Sequence, residues 1–255
     1  MLVAERHGKI IETLQKKGSI RVSELSRMFG LTEETIRRDL EKLEREGKLM
    51  RSHGGAVAIQ ETAQGNIPYF KRETLHTEEK EKIANTALTF IKEEESILLD
   101  ASSTSWFLAK KLPNIPLTVI TNSLRVLMEL APKTNIHVIC TGGTLSHTSL
   151  SVLGPLTIES LDKYHADKAF ISCKALDKNW GISDANDMQA MVKKKMLEIA
   201  DKNYLLIDHS KIGKKATSYV DGFDKIHYII TDNQADQEYL KEFAEFNTKI
   251  LIGGK

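Results

Sequence analysis

Four side chains in the run Leu31-Thr32-Glu33-Glu34-Thr35-Ile36-Arg37-Arg38 have the chemistry of a nucleic-acid contact. Arginine grips phosphate and, bidentately, the guanine edge, and small hydroxyls bond the phosphates beside it. Taken alone, Thr32, Thr35, Arg37 and Arg38 also read as a solvated basic face. A second set is scattered along the chain: Asp100 with Ser102, Ser103, Thr104 and Ser105, then Asn122 with Ser123, then Gly142 with Gly143, then Asp208-His209-Ser210-Lys211. Hydroxyls and free backbone amides at helix starts, with a lysine at hand, bind anions such as phosphate. Taken alone, Ser102, Ser103 and Thr104 read more readily as N-caps and Lys211 as a surface residue, and Gly142-Gly143 reads as well as a tight turn. Their recurrence has to be read on the elements that hold them.

The 255 residues leave room for one large or two unequal domains. A net charge of +1 excludes a uniformly basic nucleic-acid binder, so any such surface is local. The first sixty residues net +3 and the remainder −2. Cys140 and Cys173 each sit in an apolar run and no CxxC pair occurs. Two buried free thiols and no metal site are the expectation. There is no apolar signal core and no apolar run approaching about 18 residues, which predicts a cytoplasmic protein that does not span a membrane. Neither a Walker lysine nor a GxGxxG fingerprint is present, so no nucleotide cofactor is expected.

Ile10, Ile11 and Leu14 mark a first amphipathic helix from Arg6 to Lys17, stopped by Gly18. Ser23 reads as the cap of a short second helix ending at Gly30. Ile36, Leu40 and Leu43 recur at four and three, predicting a third helix over Glu33 to Glu46. Thr32 is its N-cap, and two glutamates occupy its favourable first turn. A short helix, a Gly turn and a helix with outward arginines make a helix-turn-helix. Two short extended runs around Gly54-Gly55 predict a β-hairpin, the wing, with Arg51 and His53 near its tip. Both are in reach of a phosphate or the minor groove; His53 reads as well as a turn residue with a local hydrogen bond.

Gln60 to Ile67 is a polar linker without periodicity. Phe70 to Glu93 predicts one long helix with Ile83, Ala84, Ala87, Leu88 and Ile91 on a single face. From Ser96 onward seven short apolar runs follow, at 97–99, 117–120, 136–140, 169–171, 204–207, 227–230 and 250–252, most of them separated by helical patterns. Continuous apolar strands of this kind predict a mostly parallel sheet covered on both faces, with ligands beyond the strand C-termini. The polar loops above follow the first, second, third and fifth of these strands, and Lys174 follows the fourth. Four such loops at four strand ends predict a phosphate-bearing ligand.

The run Thr35-Ile36-Arg37-Arg38-Asp39-Leu40, with Leu43-Glu44, Gly47, Leu49, Arg51 and His53-Gly54-Gly55-Ala56, resembles the DeoR family of bacterial transcriptional regulators. Arg6, Ile10, Leu14, Val22, Glu24 and Leu25 agree with the same signature upstream. Further on, Asp100 with its Ser/Thr loop, Thr121-Asn122-Ser123, Gly142-Gly143, Gly154-Pro155, Asp167-Lys168-Ala169-Phe170, Gly181-Ile182 and Asp208-His209-Ser210-Lys211 are similar to that family's sugar-phosphate sensor domain. The resemblance implies a winged helix-turn-helix over residues 1–60, a linker over 61–75 and an effector domain over 76–255. It implies that the last is an α/β domain related to ribose-5-phosphate isomerase and glucosamine-6-phosphate deaminase. Thr32, Thr35, Arg37, Arg38, Arg51 and His53 would then contact operator DNA, with Asp39 orienting an arginine. Ser102 to Ser105 would cradle the phosphate, Asn122, Ser123, Gly142 and Gly143 would touch the sugar, and Lys211 would reach an anionic or hydroxyl group. This chain departs from many members by Ser102 or Ser103 in place of Gly, and by Gln189-Ala190 in place of Glu-Ala.

The resulting expectation is a repressor of a sugar-catabolic operon, released by a phosphorylated sugar and acting as a homodimer or homotetramer on a symmetric operator. An activator built from the same parts is one alternative. The other is a sugar-phosphate isomerase or deaminase with a DNA-binding appendage. That chemistry needs a positioned carboxylate base; Asp184 and Asp187 are the candidates, and the amide of Gln189 cannot serve.

Overall fold

A computed structural model describes residues 3–45, 48–52, 54–58 and 67–254. His53, Gly47 and residues 60–66 of the expected linker lie outside them. The chain divides into two units, Met1–His76 and Thr77–Lys255.

In the first unit α1 (Val3–Lys17) is followed by β1 (Ser19–Arg21), α2 (Val22–Phe29), α3 (Glu33–Arg45), β2 (Met50–Ser52) and β3 (Gly55–Val57). Ile10, Leu14, Leu25, Ile36, Leu40, Leu43 and Leu49 share one core. The apolar positions read from the sequence therefore face inward together, and the helix-turn-helix is closed by tertiary burial. Gly30 ends α2 at φ 65°, the left-handed cap its lack of a side chain permits. α2 starts at Val22, with Ser23 inside it and no side-chain cap. The hairpin β2–β3 carries a third strand: β1 pairs with β3, with Ile20 opposite Ala56. A Cβ on Gly55 would come within 2.2 Å of the Ile20 carbonyl oxygen, so that close approach requires glycine.

The single helix expected over Phe70 to Glu93 is broken. α4 (Tyr69–Arg72) ends the first unit and α5 (Thr77–Leu88) opens the second. His76 between them has φ 51°, a left-handed conformation that a right-handed helix cannot continue through.

The second unit continues with β4 (Ser96–Leu99), α6 (Ser103–Lys111), β5 (Leu117–Thr121), α7 (Leu124–Leu130), β6 (Ile136–Cys140), β7 (Thr144–Ser146), β8 (Ser151–Leu153), α8 (Pro155–Leu161) and β9 (Ala166–Ile171). It ends with β10 (Ala175–Asp177), β11 (Gly181–Asp184), α9 (Asp187–Glu198), β12 (Ala200–Leu206), β13 (Ser218–Asp221), β14 (Tyr228–Thr231), α10 (Gln237–Lys241) and β15 (Lys249–Ile252). Seven parallel strands form one sheet in the order β15-β14-β12-β9-β4-β5-β6. They are the seven apolar runs. Alternate residues of each strand enter opposite cores: Leu98, Ile120 and Leu205 on one face, Ile97, Leu99, Val119 and Leu206 on the other. Cys173 is buried, and burial pushes its thiol up to about 12. Cys140 is exposed, against the expectation, because β6 is an edge strand.

After β4 the chain steps outward through β5 and β6, then crosses back to β9 and continues the other way through β12, β14 and β15. The strand order thus reverses between β4 and β9, the position at which sheets of this kind take ligands beyond the strand C-termini. Two smaller pieces complete the unit: the hairpin β7–β8 and the antiparallel sheet β10-β11-β13. Among the described residues no helix is long and apolar enough to cross a membrane.

Candidate functional site

On α3 the buried stripe leaves Arg37 and Arg38 outward, their side chains 50% and 77% exposed. Thr32 caps the helix, its hydroxyl oxygen accepting from the Thr35 amide at 3.3 Å and lying 2.9 Å from the Thr35 hydroxyl. Arg37 Nη2 donates to Glu33 Oε2 at 2.6 Å, and Arg38 Nε is 3.4 Å from Glu34 Oε1. Arg51 on β2 is also exposed, its amide donating to Glu44 Oε1 at 2.8 Å. The helix therefore presents two arginines and two hydroxyls at one end, as a major-groove reader requires.

Asp39 faces the other way. Its carboxylate is buried and accepts from Arg6 Nε at 2.6 Å and Arg6 Nη2 at 2.9 Å, with His7 Nε2 at 3.1 Å. Burial acts to raise its pKa, but the hydrogen bonds from Arg6 and His7 hold it below the usual carboxylate range. This fork pins α3 to α1 and sets the angle at which the arginines are carried.

At the C-terminal end of the sheet in the second unit, Asp100 follows β4 and is 1% exposed. It is not open to a ligand: Oδ1 accepts from the Ser102 amide and from the hydroxyls of Ser102 and Ser105 at 2.6 and 2.5 Å. Its other oxygen faces Lys193 Nζ at 3.0 Å and the Ser172 amide at 3.2 Å. Asp100 is thus the frame on which the Ser/Thr loop is folded. Ser102 is the N-cap of α6, accepting from the Ser105 amide at 3.0 Å, so the helix opens a turn before the expected Trp106. The amides of Ser103 and Thr104, first in α6, have no partner within the helix. Thr104 Oγ1 is fully buried and has no hydrogen-bond partner among the described residues.

Neighbouring strand ends repeat the pattern. Past β5, Ser123 caps α7, accepting from the Val126 amide, while Asn122 donates to the Val152 carbonyl and leaves Oδ1 buried without a partner. Past β6, Thr141 Oγ1 is likewise buried and unpartnered. Gly143, at φ 121°, has room for no Cβ: Thr157 Oγ1 and the Leu153 carbonyl oxygen stand 2.2 and 2.8 Å from where it would lie. Gly142 faces open space. Past β9, the amide of half-buried Lys174 donates to the Ser183 carbonyl. Past β12, Lys211 Nζ lies 3.3 Å from Ser172 Oγ and 3.3 Å from Asp208 Oδ2. The structure brings Ser102 to Ser105, Asn122, Ser123, Gly142, Gly143, Lys174 and Lys211 to one end of the sheet.

Lys193 escaped the sequence reading. Buried on α9, it donates to the Ser172 carbonyl at 2.5 Å and pairs with Asp184 at 2.8 Å as well as with Asp100. Desolvation acts to lower its pKa, and the two carboxylates reverse this and keep it charged. Its signal was a lysine on the apolar stripe Ala190, Lys193, Met196, Leu197, where a charge has to be paired. Asp184 is committed to that lysine, and Asp187 accepts from Ser218 Oγ at 2.7 Å. Neither carboxylate stands ready as a base. Among the described residues no cluster of metal-binding side chains occurs.

Beside Lys211, His209 Nδ1 lies 3.0 Å from Asp232 Oδ1. That hydrogen bond raises the His209 pKa against the effect of burial; Asp232, pushed up by burial, is brought below its ordinary range chiefly by His209. The imidazolium's contribution is complete below about pH 6.5 and lost as pH rises through its raised value. That of Asp232 is complete above about pH 4 and lost as pH falls. The melting temperature of His209→Gln is expected to fall furthest below the parent between those limits and to converge with it toward pH 9. A gap independent of pH would show that the pair is not ionised.

Residues 6–62 match the DeoR-like helix-turn-helix domain, and residues 75–233 the DeoR C terminal sensor domain. The chain is 48% identical over 250 residues to an uncharacterized HTH-type transcriptional regulator of Bacillus subtilis (strain 168), YulB, covering 98% of this chain and 96% of that protein. It is 38% identical over 236 residues to the L-fucose operon activator of Haemophilus influenzae (strain ATCC 51907 / DSM 11121 / KW20 / Rd), covering 92% and 94%. Among solved structures, a ribose 5-phosphate isomerase from Methanocaldococcus jannaschii is similar over 52% of this chain and 53% of that one, at 19% identity and a TM-score of 0.39. With both units matched and relatives aligned along nearly their whole length, the chain belongs to the DeoR family of DNA-binding transcriptional regulators.

Proposed function

We propose that this regulator represses a sugar-catabolic operon, with residues 1–60 on the operator, 61–75 as linker and 76–255 holding a phosphorylated sugar that releases it. The observation carrying the sensing half is the set of buried, unpartnered atoms at three neighbouring strand ends: Thr104 Oγ1, Asn122 Oδ1 and Thr141 Oγ1. A buried polar atom without a partner costs about 1–3 kcal/mol, and a ligand hydroxyl or phosphate oxygen that reaches it restores the bond. Phosphate fits the open amides of Ser103 and Thr104 at the start of α6, with the Lys211 ammonium opposite. Asn122, Ser123, Gly142 and Gly143 hold the sugar, and Lys174 is a further anion contact. A sugar operon is supported by the name of the H. influenzae relative, which is an activator.

Thr32, Thr35, Arg37, Arg38 and Arg51 contact the duplex, together with His53. Two winged helices on a symmetric operator call for a homodimer or homotetramer, and DNA as target places the protein in the cytoplasm. The effector acts by binding more tightly to the state that does not fit the operator; a few kcal/mol of difference suffices. The isomerase alternative is not favoured by Asp184 and Asp187, both held by protein partners.

Arg38→Ala tests the division of labour. Loss of one arginine contact to a base edge is worth about 10- to 100-fold in operator affinity, while the rise in melting temperature caused by phosphorylated sugars stays at the parent value. Loss of both together would overturn separate sites. Operator release by the stabilising sugar supports repression; sugar-dependent tightening on the operator would establish the activator reading instead.

A further inference from the structure

Two lysines at the strand ends of β4, β9 and β12 face carboxylates of the protein itself. Lys193 is matched by Asp100 and Asp184, and Lys211 stands against Asp208. On the β5 and β6 side, the side chains that follow the strands, Asn122, Ser123 and Thr141, are uncharged. The β7–β8 hairpin is fastened there by the Val152 amide donating to the Asn122 carbonyl at 2.9 Å and by a bridge between Ser123 and Ser151. Gln189, buried on the first turn of α9, donates from Nε2 to Ser151 Oγ at 3.2 Å. Ser151 Oγ is 2.7 Å from Ser149 Oγ, which donates to Ser146 Oγ at 2.8 Å. Among the described residues, Asn122 Oδ1 and Thr141 Oγ1, at the ends of β5 and β6, are buried without hydrogen-bond partners.

We infer that Gln189, Ser151 and Asn122 form a second subsite, reading the uncharged polyol end of the effector, so that the sensor accepts neutral sugar phosphates and rejects amino-sugar and sugar-acid phosphates. The inference rests on the phosphate-sensing reading above. Each sugar hydroxyl both donates and accepts, as do the serine hydroxyls, while the carboxamides of Gln189 and Asn122 offer a donor and an acceptor each. A ligand ammonium has donors only and a ligand carboxylate acceptors only. Either would bring an unmatched charge into a buried site that holds no free counter-charge among these residues. Discrimination of this kind, built on buried polar groups that the wrong ligand leaves unpaired, is the strong kind.

The test measures binding to the full chain, by calorimetry and thermal shift, of glucose 6-phosphate, fructose 1-phosphate, glucosamine 6-phosphate, 6-phosphogluconate and inorganic phosphate. At least one neutral sugar phosphate is expected to bind tenfold or more tighter than the amino and acid compounds. Gln189→Glu is expected to weaken the neutral ligand tenfold and to strengthen glucosamine 6-phosphate. Should that variant fail to fold, Ser151→Ala is expected to weaken the neutral sugar while leaving inorganic phosphate unchanged. Equal or tighter binding of the amino or acid compound to the parent overturns the inference. So does binding of inorganic phosphate with no gain from any sugar, which leaves phosphate sensing standing. Absence of binding by every compound, phosphate included, overturns both readings.

Discussion

Lys193→Met is expected to destabilise the sensor unit by about 3–5 kcal/mol, read as a drop in the urea midpoint of its unfolding transition. Methionine keeps most of the volume and removes the charge, so two carboxylates, Asp100 and Asp184, remain buried without their counter-ion. The loss spreads along the chain because Asp100 also receives Ser102, Ser105 and the Ser172 amide. The end of β4, the start of α6 and the end of β9 are tied at this one point. Burial acts to raise the Asp100 pKa, and the Lys193 charge with the hydroxyls of Ser102 and Ser105 more than offsets it. A depressed carboxylate stabilises above its ordinary pKa and loses that contribution as pH falls. The gap between parent and Lys193→Met is therefore expected to narrow on acidification below about pH 4. A loss under about 1 kcal/mol at neutral pH would show that the network is worth no more than an exposed ion pair.

Asp39→Ala is expected to cost the DNA-binding unit a similar amount, about 3–5 kcal/mol, since the Arg6 guanidinium loses both bonds in a nearly dry site. Arg6 and Asp39 side chains are only 10% and 9% exposed, so solvent replaces little of what is lost. Operator affinity should fall with it, although Asp39 faces away from the duplex, because α3 loses its fixed angle on α1. The stability loss separates from Arg38→Ala, which leaves the core untouched. The double variant Arg6→Met with Asp39→Leu, which removes both charges, should recover much of the stability of the single change. If Asp39→Ala melts like the parent, the fork is not what joins the two helices.

Much of this was legible in the sequence, for reasons that can be named. The seven strands of the large sheet announce themselves because burial on both faces requires uninterrupted apolar runs such as Ile97-Leu98-Leu99. α3 is equally plain, since Ile36, Leu40 and Leu43 all enter one core. The three-residue strands β1, β7, β8 and β10 are too short to show a period, and they exist through pairing with partners elsewhere. The break at His76 has no Gly or Pro to mark it, and the charged run around it reads as ordinary helix surface. At the C-terminal end of the sheet the strand-end loops could be found, but not which groups face one another. Asp100 looked like a ligand contact and is a buried frame; Lys193 sits in Val192-Lys193-Lys194-Lys195, a basic run in which only its place on the apolar stripe with Ala190, Met196 and Leu197 sets the first lysine apart.

The pairing of Arg37 with Glu33 and of Arg38 with Glu34 has a consequence for the search along a genome. Both arginines already have anionic company, and every duplex brings phosphates toward the same two carboxylates. On the proposed DNA contact, random sequence offers these two arginines the exchange of an exposed carboxylate for a phosphate, a smaller gain than an unpaired arginine would make. Only a site whose base edges add contacts of their own holds the helix long enough to matter.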